Sequence, residues 1–363
     1  MLGGMDKPAL HTDREWPYIL TLLPEDLEES AKRMKALQRC RNVPNAEALL
    51  RMALAYAISD LSLKDVAAWA SSLEVAQITG PGLFYRLREA EAWLETVLAQ
   101  TLQREVESGP KGLALRVVDA TVITGPGALG TEWRAHVVTD PATGKFRSVE
   151  LSDERVGESY ALHPLRTGEV VLGDRAYAAA RGIAAVRRQG AHVVARMNPH
   201  TIRLCDRKRQ VIQVSSQTDR VPKVGAIEFK ILVPIPPEKT SKSHKTWDLA
   251  KAVDWIEARV VGGRTRIGEV IWILTTLPHE DAPALLILQL YRLRWQIELL
   301  FKRLKSLLHL DALPSRQGPT ARSWMLARLL AAALAQQLIQ PAGALSPWGY
   351  ELRLEREAER LHA

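Results

Sequence analysis

A chain of 363 residues has room for two or three domains and a substantial core, and a net charge of +8 with a pI near 9.5 suits a polyanionic partner better than a small acidic substrate. Its two cysteines, Cys40 and Cys205, stand far apart with no Cys or His at ligand spacing, which excludes a disulfide framework and a structural zinc site. The opening residues mix acids, bases and prolines instead of a charged head and an apolar signal core, and Arg328 breaks the longest apolar run, Met325 to Leu334, so a cytoplasmic protein is expected.

Residues 1–43 read as an irregular lead followed by a helix over Leu27 to Gln38, with acids at its start and bases at its end as the helix dipole prefers. From Asn45 the chain is helical in period, breaks at Leu61, and restarts with Ser62 as an N-cap. A third segment repeats apolar residues at Leu87, Ala90, Leu94 and Leu98. These make a small helical domain, 1–110. The helix Leu63 to Ala70 and the break Gly80-Pro81-Gly82, followed by Arg86 and Arg88, suit either a helix-turn-helix-like arrangement or a purely structural bundle.

At Leu113 the character changes to strands: LALRVVDATVI, EWRAHVVTD and KFRSVELSD, joined by the turn signals GPGALG and DPATGK, which makes them antiparallel neighbours. A helix is expected near Gly157 to Leu165, then the strand EVVLGDRAY, the helical AAARGIAAVRRQG and the strand AHVVARMNP. Pattern alone licenses a mixed α/β class for 111–199. Residues 200–278 read as further strands, IRLCD, RQVIQVSS, GAIEFKILVPI, DWIEARVVGG and GEVIWILTT, and suggest an inserted β-subdomain. Its loop IPPEKTSKSHKTWD, with Lys239, Lys242, His244 and Lys245, reads equally as a disordered surface loop or as a contact to nucleic acid.

The stretch LYRLRWQIELLFKRLKSLLHL, Leu290 to Leu310, is amphipathic. Leu293, Ile297, Leu300 and Leu304 form an apolar stripe, while Tyr291, Arg294, Glu298, Lys302 and Lys305 share the opposite face, an acid ringed by cations. Beyond Pro314, the helix Ser323 to Gln340 is apolar enough to be core, and a charged tail follows. The remaining length leaves little room for a large assembly domain.

Tyr, two residues, Arg, three residues, Glu, six residues, Lys is the pattern of Tyr291, Arg294, Glu298 and Lys305, and it resembles the signature helix of IS4-type DDE transposases. The same family places one Asp at the end of its first core strand and another after a later strand; Asp119, after the apolar run Leu113 to Val118, and Asp174, within Gly173-Asp174-Arg175-Ala176-Tyr177, match. The resemblance runs from about Leu50 to Gln340. It implies a ribonuclease H-like α/β core, 111–199 and 279–345, interrupted by the mainly β insertion 200–278, with an N-terminal helical DNA-end-binding domain, 1–110, and a tail, 346–363.

The resemblance further implies that Asp119, Asp174 and Glu298 are catalytic and bind Mg²⁺, with Mn²⁺ able to substitute. In-line attack on a phosphodiester needs charge stabilisation at both the entering and the leaving oxygen, and two oxygen-liking divalent ions shared by carboxylates supply it. Tyr291, Arg294 and Lys305 would bind DNA phosphates. Trp272, in the strand W-x-L-x-T of EVIWILTT, would stack on a base turned out of the duplex, although a Trp in such an apolar run otherwise reads as core. The expected partners are transposon terminal inverted repeats, target DNA and a second copy of the chain in the synaptic complex. A ribonuclease H-like nuclease without strand transfer, or an inactive DNA-binding relic, are the competing readings.

Overall fold

The computed structural model describes residues 12–59, 61–102, 112–124, 133–141, 145–237, 247–265, 267–294, 313 and 318–339. They fall into two compact units, one helical and one built on a sheet.

The helical unit comprises α1 (Thr12–Thr21), α2 (Leu27–Arg33), α3 (Ala46–Ile58), α4 (Leu63–Ser72), α5 (Gly80–Glu89) and α6 (Glu91–Leu102). Its helix starts follow from side-chain caps. Asn45 accepts the Ala48 N–H, Ser62 and Asp65 form a reciprocal capping box, and Thr79 accepts the Gly82 N–H. Helix α2 is shorter than its periodicity predicts, because Lys35 takes a left-handed conformation (φ 62°) and the chain folds back onto the Ala31 carbonyl. Leu49, Leu50, Met52, Leu83, Leu94 and Trp93 are fully buried, with the Trp93 indole donating to Ser30 Oγ at 3.1 Å.

The late helix, placed in the sheet domain by its sequence position, belongs to this unit instead. Helix α9 (Gly318–Ile339 in the chain) packs on α6, α3 and α5. The reason is visible in its polar residues: Ser323 donates to the Leu87 carbonyl at 2.6 Å, and buried Arg328 donates to the Ala57 carbonyl at the end of α3. Arg328 thus satisfies a helix-terminal carbonyl that apolar residues would leave unpaired.

The second unit is a mixed sheet of ten strands among the described residues, in the order β3-β2-β1-β4-β5-β10-β9-β8-β6-β7. The first half contains β1 (Ala114–Ile123), β2 (Trp133–Thr139), β3 (Phe146–Asp153), β4 (Glu169–Gly173) and β5 (His192–Arg196). Strands β1 to β3 are an antiparallel meander, while β4 and β5 lie parallel to β1, as the spacing of turn and helix signals predicts. The helix expected at Gly157 to Leu165 is only a 3-10 turn, Tyr160–Leu162, initiated by Ser159, which accepts the Ala161 N–H. Between β4 and β5 runs α7 (Ala180–Arg188).

Residues 200–278 do not form a separate sheet. Strands β6 (Leu204–Cys205), β7 (Val211–Ile212), β8 (Ala226–Ile235), β9 (Asp254–Arg264) and β10 (Val270–Thr275) extend the first sheet, joined through antiparallel pairing of β10 with β5. An unpaired β5 would expose a row of backbone donors and acceptors; β10 covers it. Strand alternation separates two faces. On one, Val118, Val171, Val193, Ala195, Leu274, Val260 and Ile231 form a continuous core with Ile183, Ala184 and Val186 of α7. On the other lies α8 (Ala284–Arg292), with Leu288 so close to β9 that a Cβ on Gly263 would come within 2.5 Å of its Cδ1.

Candidate active site

The two aspartates meet because of the β1–β4 register. Val117 lies opposite Leu172 in this parallel pair, so the register carries Asp119 of β1 and Asp174, just past the end of β4, each two residues further on, towards one another. Asp119 is not at the end of its strand, as the apolar run Leu113 to Val118 suggests. Strand β1 continues to Ile123 on β2, and it is β4 that stops, at Gly173, leaving space beside Asp119. This is the point where β1 has an antiparallel neighbour on one side and parallel strands ending on the other, the crevice where open α/β sheets bind ligands.

Both carboxylates are held by local backbone. Asp119 Oδ1 accepts the Ala120 N–H at 2.9 Å and Asp174 Oδ1 accepts the Ala176 N–H at 2.8 Å. The Asp119 side chain is only 17% exposed, and burial, with Asp174 and Glu158 adding like charge, pushes its carboxyl up to about 6 against the pull of the Ala120 hydrogen bond and Arg294. Glu158, just before the 3-10 turn, is also raised by burial and by Asp174, with Arg134 opposing. Arg134 is anchored by donating to the Val156 carbonyl at 2.6 Å.

Tyr291 and Arg294 of the signature pattern reach the same place, but the helix expected to run on from Leu290 ends at Arg292: Tyr291 is in the last turn of α8 and Arg294 is in the turn that follows. The Arg294 Nη1 atom lies 3.9 Å from Asp119 Oδ2, and its guanidinium lies over the Tyr291 ring at 5.7 Å from the centroid. What aims this helix is Arg259 of β9, which sequence reading did not single out. It is 5% exposed and donates to the Leu277, Pro278 and Ala282 carbonyls at 2.9, 3.1 and 2.8 Å, and to Glu228 Oε2 at 2.6 Å. The loop that launches α8 is thereby tied to the sheet. Glu298 and Lys305 lie outside the described residues.

Trp272 does not join this site. It is 5% exposed on the core face of β10, packed on Phe229 at 5.9 Å between ring centroids and over Gly262, where a Cβ would come within 2.8 Å of the indole. Its strand parity points it to the face opposite Arg259 and α8, which favours the core reading over the base-stacking one.

Tyr160, Tyr177 and Glu158 were invisible as site residues in the sequence. Only Tyr177 had a signal, as the last residue of the Gly173-Asp174-Arg175-Ala176-Tyr177 motif. Gly173 shows why a glycine precedes Asp174: a Cβ there would strike the Tyr160 hydroxyl and lie 2.9 Å from Tyr177 Cβ.

The profile of the family described as "Transposase DDE domain" matches residues 110–334, spanning both aspartates and the signature helix. The chain belongs to the DDE transposase family. Transposase InsL of insertion sequence element IS186A from Escherichia coli strain K12 is 35% identical to it over 353 residues, 90% of this chain and 94% of that protein. The transposase of insertion sequence element IS421 from Escherichia coli is 34% identical over 354 residues, with the same shares covered. A solved piggyBac transposase synaptic complex with hairpin DNA shows a remote likeness, with a TM-score of 0.46 and 9% identity over 94% of this chain and 76% of that one.

A DDE transposase implies divalent metal ions, and the residues at this site fit them. Asp119 and Asp174 offer only carboxylate oxygens, with neither thiol nor imidazole beside them among the described residues, the donor set of a hard cation. The Asp119 carboxyl is raised chiefly by burial and further by the like charge of Asp174 and Glu158, and a bound cation would relieve that cost of ionisation. Among the described residues no three His, Cys, Asp or Glu side chains gather to hold a metal, consistent with a third ligand supplied from outside them.

Proposed function

We propose that this transposase hydrolyses the phosphodiester bonds at the ends of an insertion sequence and transfers the freed 3′-OH into target DNA, a cut-and-paste transposition. The observation that carries this reading is the parallel β1–β4 register that brings Asp119 and Asp174 together at the point where β4 ends, with Arg294 of the signature pattern beside Asp119. Asp119, Asp174 and Glu298 are the metal-holding acids in this proposal, with Mg²⁺ as the natural ion and Mn²⁺ as a substitute. When bound, the ions stabilise negative charge on the attacking and departing oxygens.

The protein's own groups do the rest. Arg294, pinned against Tyr291, presents a fork to a phosphate next to the scissile bond, and Lys305, eleven residues on in the sequence, adds a second positive charge. Tyr291 donates to a neighbouring phosphate oxygen. The Arg259 tie keeps α8 from drifting as DNA enters. The strand order β3-β2-β1-β4-β5, with the acids on β1 and after β4, supports a ribonuclease H-like core, and the helical unit is the natural holder of the transposon ends. Function as a homodimer on paired ends completes the proposal. Among the described residues no helix is long and apolar enough to cross a membrane.

A strand-joining assay with a pre-cut terminal repeat tests the reading. Joining by the native chain and its loss in Asp174→Ala, with end binding retained, would support it. Cleavage without joining would return the protein to the nuclease reading.

A further inference from the structure

Tyr160 is fully buried, yet its hydroxyl has no hydrogen-bond partner among the described residues, and the same is true of the Tyr177 hydroxyl beside it. The rings lie 5.0 Å apart between centroids, tilted by 45°. A buried polar hydrogen left unpaired is unfavourable, and a phenylalanine would fill the same space without that cost. The position of Tyr160 is specific: its ring end rests on Gly173, the residue before Asp174, and both Asp174 and Tyr291 act on it electrostatically. The hydroxyl is therefore placed at the end of the strand that leads to one acid, within electrostatic reach of Tyr291.

We propose that Tyr160 is a positioning residue of the catalytic centre, whose hydroxyl is kept without a partner in the free chain and donates to the Asp174 carboxylate when the site is loaded with DNA and cation. The inference rests on the assignment of Asp174 as a catalytic acid. Burial, with Asp174 and Tyr291 alongside, holds the phenol well above its ordinary range, so it acts as a donor and never as a base. Donation to one carboxylate oxygen leaves the other for the cation and fixes its direction. The same contact explains the glycine in the motif: any side chain at 173 would displace the hydroxyl from Asp174.

Tyr160→Phe removes only the oxygen. The inference predicts a melting temperature of the free chain that is equal or higher, unchanged affinity for terminal-repeat DNA, and single-turnover cleavage slowed about tenfold or more, as expected for a lost hydrogen bond to a charged group. A stability gain combined with a rate loss is an outcome that a merely structural tyrosine cannot produce. Wild-type cleavage by Tyr160→Phe, or a fall in melting temperature in step with the rate, would overturn the inference. Asp174→Asn, measured alongside, separates the two levels: if it cleaves like the native chain the site assignment itself fails, whereas an inactive Asp174→Asn with a fully active Tyr160→Phe removes only the role of Tyr160.

Discussion

The β1–β4 ladder carries a charge cluster at each end, and the two are built on opposite principles. At its start, Arg116 is 2% exposed and pairs with Glu169 at 2.8 Å and Asp140 at 3.3 Å, while it also donates to the Leu115 carbonyl. Arg147 reaches Asp140 at 3.5 Å, and the second Glu169 oxygen accepts the Arg166 N–H. Two guanidiniums thus meet two carboxylates. Only three residues along β1 from Arg116, Asp119 sits with Asp174 and Glu158; among the described residues its one ion-pair contact is the long 3.9 Å approach of Arg294, and the two phenols nearby have no hydrogen-bond partner. The first cluster consumes its charge internally; the second keeps an excess of negative charge and spare donors. A buried network that is complete supports the fold, whereas one left incomplete in the free chain is arranged for something that arrives later.

Breaking the open end should cost activity. Asp119→Ala or Asp174→Ala is expected to lower cleavage by roughly a thousandfold or more, because ion-borne stabilisation of several kcal/mol is lost, while terminal-repeat binding in a gel-shift assay stays near the native level. Cleavage by either variant within tenfold of the native rate would contradict the assignment.

Breaking the closed end should cost stability instead. Arg116→Met leaves Asp140 and Glu169 buried without their main counter-charge, and removal of one partner of such a pair typically costs about 3–5 kcal/mol. Denaturant unfolding measures it. A variant of native stability would show that the cluster is not the internally balanced one described above.

Titration sharpens the contrast, since two sets of groups respond with opposite sign. The carboxyl of Asp119 is raised in the folded chain, so its contribution is fully present below about 4 and is lost as the pH rises through about 6. Metal-free Asp119→Asn should therefore match the native chain at pH 4 and exceed it at pH 7 by up to about 3 kcal/mol. On the other side of β2, His136 and His163 are buried at 6.4 Å between ring centroids, bonded to Ser152 and Ser148, and burial lowers each to about 4. Their contribution is present above the ordinary histidine range and is lost as the pH falls towards 4. Melting curves of both chains across that range in a chelator check the two slopes. Equal stability of Asp119→Asn and the native chain at pH 7 would remove the claim that burial and neighbouring like charge disfavour the ionised Asp119 carboxyl.

The smallest effects are expected on the signature helix. Lys305→Ala should flatten the salt dependence of end binding by about one unit of slope, and Arg294→Lys should slow cleavage with little change in that slope, since charge is kept and the bidentate fork is lost. An unchanged slope together with native activity for Lys305→Ala would leave that face merely solvated.

Local chemistry is what the sequence by itself determined. The spacing of Tyr291, Arg294, Glu298 and Lys305, the aspartates 119 and 174, the cap at Ser62 and the alternation of β1 to β5 are each written within one segment, where period and residue type suffice. Pairings between distant segments could not be read that way. That Asp119 and Asp174 come together depends on parallel register, that Arg259 anchors α8 depends on β9 lying beneath the Leu277–Ala282 loop, and that Gly173 must be glycine depends on Tyr160 from a turn thirteen positions earlier. The face chosen by Trp272 and the docking of α9 on the N-terminal helices were likewise decided by packing, because an apolar strand or helix states that it must be buried but not against what.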